Sequence, residues 1–355
     1  MTNSPEPAFS GPGSGSAGAA SELLGSTNGS DPQASARASK VPDFFIVGEP
    51  KSGTTALYEM LRSHPQIFMP DFKEPRYFAS DLPSRFQAPR ASGLDPETFD
   101  DYLALFDPAE PGQITGEAST AYIWSKTAAG LIAEARPDAK IIAIFREPAS
   151  YLRSLHLQLM QIRIEKEKTL RKALEQEASR REGKNVPDDI ANWPQVLLYA
   201  DRTRYVEHLK RYHAAFPPEQ VLTLIYDDFR KDNEGTLRQV LRFLEVDEEA
   251  PVEVTEANPT IRMRSQKLDE MMVAVTVGQG PVSSAAKRTI KALVPRRMRH
   301  SLRWLIWRRV VFGEPEAPDE QLMSELRVRF RGEVEALGEY LGRDLIALWG
   351  YDKPA

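Results

Sequence analysis

Three short apolar runs with polar boundaries organise the chain. They are DFFIVG at 43–48, KIIAIF at 140–145 and VLTLIY at 221–226. Each run is rich in β-branched or aromatic residues and is bounded by Gly, Pro or charged residues, which is typical of buried strands in a parallel sheet. Helical patterns separate the runs, so the sequence predicts an α/β fold, a single domain with a central parallel sheet flanked by helices.

Apolar residues at helical spacing indicate where helices begin and end. One helix is predicted directly after the first strand, at 56–63, and the last at about 320–341, where it ends at Gly342. A dense run of charges occupies 163–184, over a helix at 170–182 that Thr169 can cap. Such a run is typical of a helix face exposed to solvent.

The first 40 residues differ in composition from the rest. Ser, Gly, Ala and Pro fill 26 of these 40 positions, and the large apolar residues are Phe9, Leu23 and Leu24. A segment of this kind buries too little apolar surface to offset the entropy lost on ordering. We therefore predict a disordered tail at 1–40 and one folded domain at 41–355.

Composition excludes several kinds of protein. The 355 residues carry a net charge of −5, which argues against a dedicated nucleic-acid binder. Because the chain has no cysteine, a disulfide framework, a thiolate metal site and a Cys nucleophile are excluded. The five histidines show no metal-ligand spacing. No long apolar run and no signal-peptide pattern occur, so we expect a cytoplasmic location.

Basic and aromatic residues alternate in a helical segment predicted at about 285–312. Residues 287–309 of this segment contain Trp304–Trp307 and nine Lys or Arg residues, among them Arg296, Arg297 and Arg299. We favour a helix whose apolar residues pack on the core, since four consecutive apolar residues cannot share one helical face. The alternative is a surface helix that contacts a membrane peripherally and attracts an anionic or lipid-linked acceptor.

The turn after the first strand is a candidate phosphate loop. Gly48 and Gly53 have the spacing of the nucleotide triphosphatase loop, in which Lys follows the second glycine. Here Thr54 holds that position, and the lysine lies inside the loop as Lys51. Amides at the start of the next helix still favour an anion.

The end of the second predicted strand supports an anion site without a metal. A triphosphatase strand ends in an Asp that holds magnesium, whereas this strand is followed by Arg146. Ser154 lies eight residues later, two turns into a helix that Pro148 begins. A guanidinium and a hydroxyl at this spacing are candidates to bind one phosphate.

These motifs resemble the sulfotransferases that use 3′-phosphoadenosine 5′-phosphosulfate (PAPS). Residues 44–57 are similar to the family's 5′-phosphosulfate loop, and Arg146 with Ser154 to its 3′-phosphate motif. Weaker matches follow in family order: KEPRYF at 73–78, EASTAY at 117–122, YDDF at 226–229 and GRDL at 342–345. The likeness is greatest to bacterial and Golgi-type enzymes, including those acting on heparan sulfate.

The resemblance implies a P-loop-like fold and a role for each matched residue. Lys51 stabilises the leaving group, and Glu74 takes the acceptor's proton, with His64 and His156 as rival bases. The residues implied to bind the donor are Pro50, Lys51, Ser52, Gly53, Thr54, Thr55, Arg146 and Ser154 and, as further candidates, Tyr205 for adenine stacking and Arg262 and Arg264 for the 3′-phosphate. One departure is Ala118, because several heparan-type enzymes carry a lysine there.

Two other functions stay open at this stage. A P-loop kinase for a small molecule shares the anion loop but needs a lysine after Gly53 and a magnesium-binding Asp. A non-catalytic module could bind anionic glycans or membranes through 287–309. For a sulfotransferase, the sequence leaves the acceptor open between a small molecule, a glycan and a glycolipid, and between hydroxyl and amine.

Overall fold

The computed structural model describes residues 37–82, 96–191, 193–253, 262–263, 312–313 and 317–352. The chain divides into two compact units. The first comprises Met1–Glu147, Arg204–Ala257 and Glu339–Arg343, and the second Pro148–Thr203, Asn258–Gly338 and Asp344–Ala355. Among the described residues, no helix is long and apolar enough to cross a membrane.

A five-stranded parallel sheet forms the centre of the first unit. Its strands are β1 (Phe44–Ile46), β2 (Ile67–Phe68), β3 (Ile114–Ala118), β4 (Lys140–Phe145) and β5 (Val221–Ile225), in the order β2-β3-β1-β4-β5. The three predicted strands are confirmed, as is the parallel α/β class. The sequence analysis did not identify β2 and β3.

Helices lie between and after these strands along the described part of the chain. They are α1 (Thr54–Arg62), α2 (Phe99–Ala104), α3 (Ala128–Ala135), α4 (Pro148–Gln161), α5 (Leu170–Glu175), α6 (Glu177–Arg181), α7 (Tyr205–Ala215), α8 (Tyr226–Lys231), α9 (Asn233–Leu244), α10 (Glu320–Leu341) and α11 (Leu345–Trp349). The predicted last helix is confirmed by α10. Gly342 follows it with a φ of +64°, as expected at the end of a helix.

The main apolar core of the first unit packs β1 and β4 against α1 and α9. Phe44, Ile46, Leu57 and Ile142 are among its members with no exposed surface. Strands this apolar on both faces must be covered by helices, which explains why the chain alternates strand and helix here. Just before the predicted boundary at residue 41, Arg37 and Lys40 form ion pairs with Asp100 and Asp107.

The charged run at 163–184 belongs to the second unit and is not simply a solvated face. Arg180 and Glu165 form a bidentate ion pair with both contacts at 2.8 Å, and their side chains are 3% and 0% exposed. Tyr199 donates a further hydrogen bond to Glu165. Burial of such a pair needs this full set of partners, because a lone buried charge is costly.

The helix predicted at 170–182 forms two consecutive helices, α5 and α6, separated by Gln176. Thr169 caps α5 as predicted, because its side chain accepts a hydrogen bond from the Lys172 amide. In the same unit β6 (Arg262–Met263) pairs antiparallel with β7 (Phe312–Gly313).

A buried carboxyl lies at the carboxyl end of β3. Glu117 has no exposed surface, and the Tyr102 and Tyr122 hydroxyls each donate to its Oε2 at 2.8 Å. Burial raises the pKa of Glu117 from 4.5 to about 7, although these hydrogen bonds oppose the rise. The folded chain therefore keeps a proton that the unfolded chain loses at lower pH.

Because of this raised pKa, we expect the free energy of unfolding to fall as pH rises. The contribution of Glu117 is full below its unfolded pKa and declines as pH rises through about 7, by up to about 3 kcal/mol. In Glu117→Gln the amide oxygen still accepts both tyrosine hydroxyls but cannot titrate. We expect its melting temperature to fall less between pH 5 and pH 8 than that of the wild type, by several degrees.

The control is Glu110→Gln, an exposed glutamate in the turn before β3, which should follow the wild type. An equal pH dependence in the wild type and Glu117→Gln would contradict the assignment.

Candidate functional site

The loop between β1 and α1 passes directly over the backbone of β4. A Cβ on Gly48 would approach the Ile144 nitrogen to 2.6 Å, so only glycine fits. The Glu49 amide donates to Ile144 O at 3.0 Å, and the Ser52 amide closes a turn on Glu49 O at 3.2 Å. Within this turn Lys51 adopts a left-handed backbone, with a φ of +67°. A strained non-glycine residue at such a place points to function.

The start of α1 offers donors for an anion. Gly53 occupies the N-cap position with a φ of +87°, and no side chain caps the helix. Ser52 has no exposed surface, and its Oγ lacks a hydrogen-bond partner in the described part of the chain. Thr54 is buried and Thr55 is exposed on the first turn. Together, open amides and an unsatisfied hydroxyl fit a bound phosphate.

Two cations lie beside this loop. Arg146, directly after β4, donates from Nη1 to Lys51 O at 2.8 Å. Burial lowers the pKa of both side chains, and the nearby Arg146 charge lowers the pKa of Lys51 further. No described carboxylate lies within ion-pair distance of the Lys51 ammonium. Positive charges gathered in a place that disfavours them indicate a site for an anion.

The YDDF motif has a clear structural role in this arrangement. The Tyr226 ring lies under the Arg146 guanidinium, 4.7 Å from its centre. The Phe229 ring packs so closely behind Gly53 that a Cβ there would approach it to 2.9 Å. Helix α8 therefore supports both the loop and its neighbouring cation.

Four other predicted donor-binding residues lie outside the phosphate loop in the sequence, and the structure describes three of them. Ser154 is buried in α4, within the second unit. Tyr205 is also fully buried, with its ring on Phe145 and its hydroxyl donating to Arg146 O at 2.9 Å, so its contacts hold the end of β4. Stacking on adenine stays a prediction. Arg262 lies in β6, and Arg264 lies outside the described residues.

The segment around Glu74 is held in an unusual backbone conformation. Glu74 and Arg76 both have positive φ, +62° and +55°. The Glu74 amide donates to Ala118 O at 3.1 Å, and the Arg76 amide to Ser119 Oγ at 3.0 Å. Ser119 in turn donates its amide to Ile46 O at the end of β1. This segment is therefore tied to the strand that carries the phosphate loop.

The Glu74 carboxylate is about one third exposed and has two donors on one oxygen. Lys73 Nζ lies 3.3 Å from Oε1, and Thr120 Oγ1 donates to the same atom at 3.1 Å. This arrangement orients the group and leaves Oε2 to other partners.

The two rival bases have structural contacts. His64 is buried, with Nε2 at 2.8 Å from Asp247 O and Nδ1 accepting from the Gln66 amide. His156 is buried as well, with Nε2 at 2.9 Å from Glu167 O, and burial lowers its pKa. Both imidazoles are engaged with backbone.

Sequence reasoning missed three residues close to the predicted site. Thr120 belongs to the EASTAY motif, but the motif does not reveal its hydrogen bond to Glu74. Glu117 belongs to the same motif, which does not reveal that the pKa of this carboxyl is raised. Glu49 is fully buried, with Oε1 at 3.5 Å from Nδ1 of the buried His208. The sequence does show the Glu49 carboxylate inside the phosphate loop, but its partner His208 lies far along the chain.

Comparisons with known proteins agree with this geometry. The model of the Sulfotransferase family matches residues 42–250. Carbohydrate sulfotransferase 15 of Mus musculus is 32% identical over 154 residues, covering 33% of this chain and 27% of that protein. Heparan sulfate glucosamine 3-O-sulfotransferase 3B1 of Mus musculus is 27% identical over 213 residues, covering 58% of this chain and 46% of that protein.

A solved structure shows the same fold. The sulfotransferase from Alicyclobacillus acidocaldarius superposes with a TM-score of 0.52 at 28% identity, covering 69% of this chain and 96% of that chain. This chain spans about a quarter to a half of the length of the curated relatives above. Because the family match covers more than half of the sequence and includes the phosphate loop, Arg146 and Glu74, the chain belongs to the sulfotransferase family.

Proposed function

We propose that this protein transfers a sulfuryl group from PAPS to an acceptor hydroxyl, or to an amine. One observation carries the proposal: the half-buried Lys51 and Arg146 lie together beside the uncapped start of α1, with lowered pKa values. Cations so placed are stabilised by a bound anion. Family membership identifies the reaction class that such an anion site serves.

The residues present fit this donor. The amides at the start of α1, the unsatisfied Ser52 Oγ and the hydroxyls of Thr54 and Thr55 suit the 5′-phosphate. Pro50 and Gly53 shape the loop around it. Arg146 and Ser154 are assigned to the 3′-phosphate through the family motif, and Tyr205, Arg262 and Arg264 remain predictions for the rest of the donor.

The chemistry is an in-line displacement at sulfur. The acceptor oxygen forms a bond to sulfur while the bond from sulfur to the bridging oxygen breaks, and adenosine 3′,5′-bisphosphate leaves. Lys51 stabilises the negative charge that grows on the bridging oxygen. Glu74 takes the acceptor's proton on Oε2, while Lys73 and Thr120 hold its other oxygen. The proposal assigns no step to a metal ion.

A carbohydrate hydroxyl is the acceptor class that we propose. Support comes from the carbohydrate and heparan sulfate sulfotransferases to which the chain is similar. The sequence lacks both residues that a P-loop kinase needs. Thr54 stands in place of the lysine, and Arg146 in place of the magnesium-binding Asp. Residues 287–309, the basis of the membrane-contact and binding-module hypotheses, lie outside the described residues; those hypotheses and the cytoplasmic location stay predictions.

Ligand-dependent melting tests the donor assignment. Adenosine 3′,5′-bisphosphate at about 100 times its Kd should stabilise the wild type by about 2.7 kcal/mol, whereas ATP with magnesium should not. Arg146→Ala and Ser154→Ala should weaken bisphosphate binding in calorimetric titration, Arg146→Ala more strongly because a guanidinium makes charge-assisted contacts. A shift with ATP and magnesium alone would favour the kinase, and unchanged affinity in both variants would remove these residues from the site.

Lys51→Ala should abolish turnover and leave the fold intact. Loss of one contact made in the transition state lowers the rate by on the order of 100-fold or more. The measurement is transfer of labelled sulfate from PAPS to a panel of desulfated polysaccharides. The exposed Lys126→Ala serves as the control and should retain wild-type rates. Activity of Lys51→Ala within about threefold of the wild type is the result that rejects its role.

Glu74→Gln should bind adenosine 3′,5′-bisphosphate normally and lose sulfate transfer. The amide keeps the shape and the Thr120 hydrogen bond but cannot accept a proton, so we expect a loss of about 100-fold or more in kcat. Glu59→Gln, an exposed glutamate on α1, is the matched control. Normal turnover in Glu74→Gln would show that Glu74 is only a loop residue.

A further inference from the structure

Two ionisable side chains are buried against each other beneath the phosphate loop. Glu49 has no exposed surface and the His208 side chain is 4% exposed, with Oε1 and Nδ1 3.5 Å apart, an ion-pair distance at which neither atom forms a hydrogen bond within the described part of the chain. Side chains of these types are rarely buried completely without a polar partner, because removal from water is costly. The reaction proposed above uses neither of them, so their burial needs another explanation.

Glu49 belongs to the loop itself. Its amide is bound to Ile144 on β4 and its carbonyl to the Ser52 amide, so the main chain is fixed on both sides. Lys51, two residues later, depends on this turn for its left-handed conformation. The Glu49 side chain is therefore attached to the stretch of backbone that positions Lys51.

His208 lies on a helix face that contacts three parts of the site. Tyr205, His208 and Tyr212 share this face of α7, at the spacing that aligns residues on a helix. The Tyr205 hydroxyl donates to Arg146 O at 2.9 Å, and the Tyr212 hydroxyl to Tyr122 O at 2.8 Å. The face thus binds the end of β4, the phosphate loop and the segment after β3.

We propose that the Glu49–His208 pair is a positioning element that fixes the phosphate loop on α7. On the same face of this helix, Tyr205 holds the backbone of Arg146. The pair touches no reacting atom and acts through the loop backbone. This inference rests on the proposed function, because it assumes that the loop binds the 5′-phosphate. Small displacements of such groups are costly, since a misplacement of about 1 Å can lower a rate about 100-fold.

The test compares two nucleotides that differ only at the 5′ position. Adenosine 3′,5′-bisphosphate uses the loop, whereas adenosine 3′-monophosphate lacks the phosphate that the loop holds. Glu49→Gln and His208→Gln should each weaken bisphosphate binding on the order of tenfold and leave the affinity for the monophosphate unchanged. The double variant should lose no more than the larger single loss, since both changes break one contact. A merely structural role would lower the melting temperature and leave the ratio of the two affinities unchanged.

His213→Gln is the matched control, on the same helix but bound to Tyr340 and away from the loop, and it should keep the wild-type ratio. If Glu49→Gln does not fold, His208→Gln breaks the same contact from the helix side and carries the test. An unchanged ratio in the folded variants overturns the inference. A wild type with no preference for the bisphosphate overturns the proposed function instead, so the two failures are distinct.

Discussion

The structure around the site depends on keeping two like charges together in a partly buried place. Lys51 and Arg146 each follow one of two neighbouring parallel strands, so the sheet places both residues at the carboxyl ends of its strands. Burial disfavours both charges, so the surrounding contacts have to maintain the arrangement. Gly48 against Ile144, the Arg146 bond to Lys51 O and the Tyr226 ring under the guanidinium all serve this end.

A second constraint acts on the segment that carries Glu74. Two non-glycine residues with positive φ are held there by hydrogen bonds from their own amides to the end of β3. The Phe78 amide adds a bond to the Tyr122 hydroxyl, which also donates to the buried Glu117. An aromatic and carboxyl cluster thus stabilises a backbone that the local sequence alone would not choose.

Sequence reasoning recovered the elements whose signal is local. The apolar runs of β1, β4 and β5 identified the parallel sheet, loop spacing singled out Lys51, and the end of the second predicted strand singled out Arg146. It missed β3 because ITGEA is weakly apolar, with a glycine packed on Phe44 and a buried glutamate. It did not predict the buried ion pair within the charged run, because the pairing of Glu165 with Arg180 depends on tertiary structure. The contact between Glu49 and His208 could not be predicted from the sequence for the same reason.

The strand order gives the site two sides. β1 lies between β3 and β4, so the anion-binding residues gather towards β4, while the segment with the candidate base is attached to the end of β3. Under the proposed function, the candidate base and Arg146 are therefore attached to different strands, β3 and β4, on the two sides of the strand that leads into the phosphate loop.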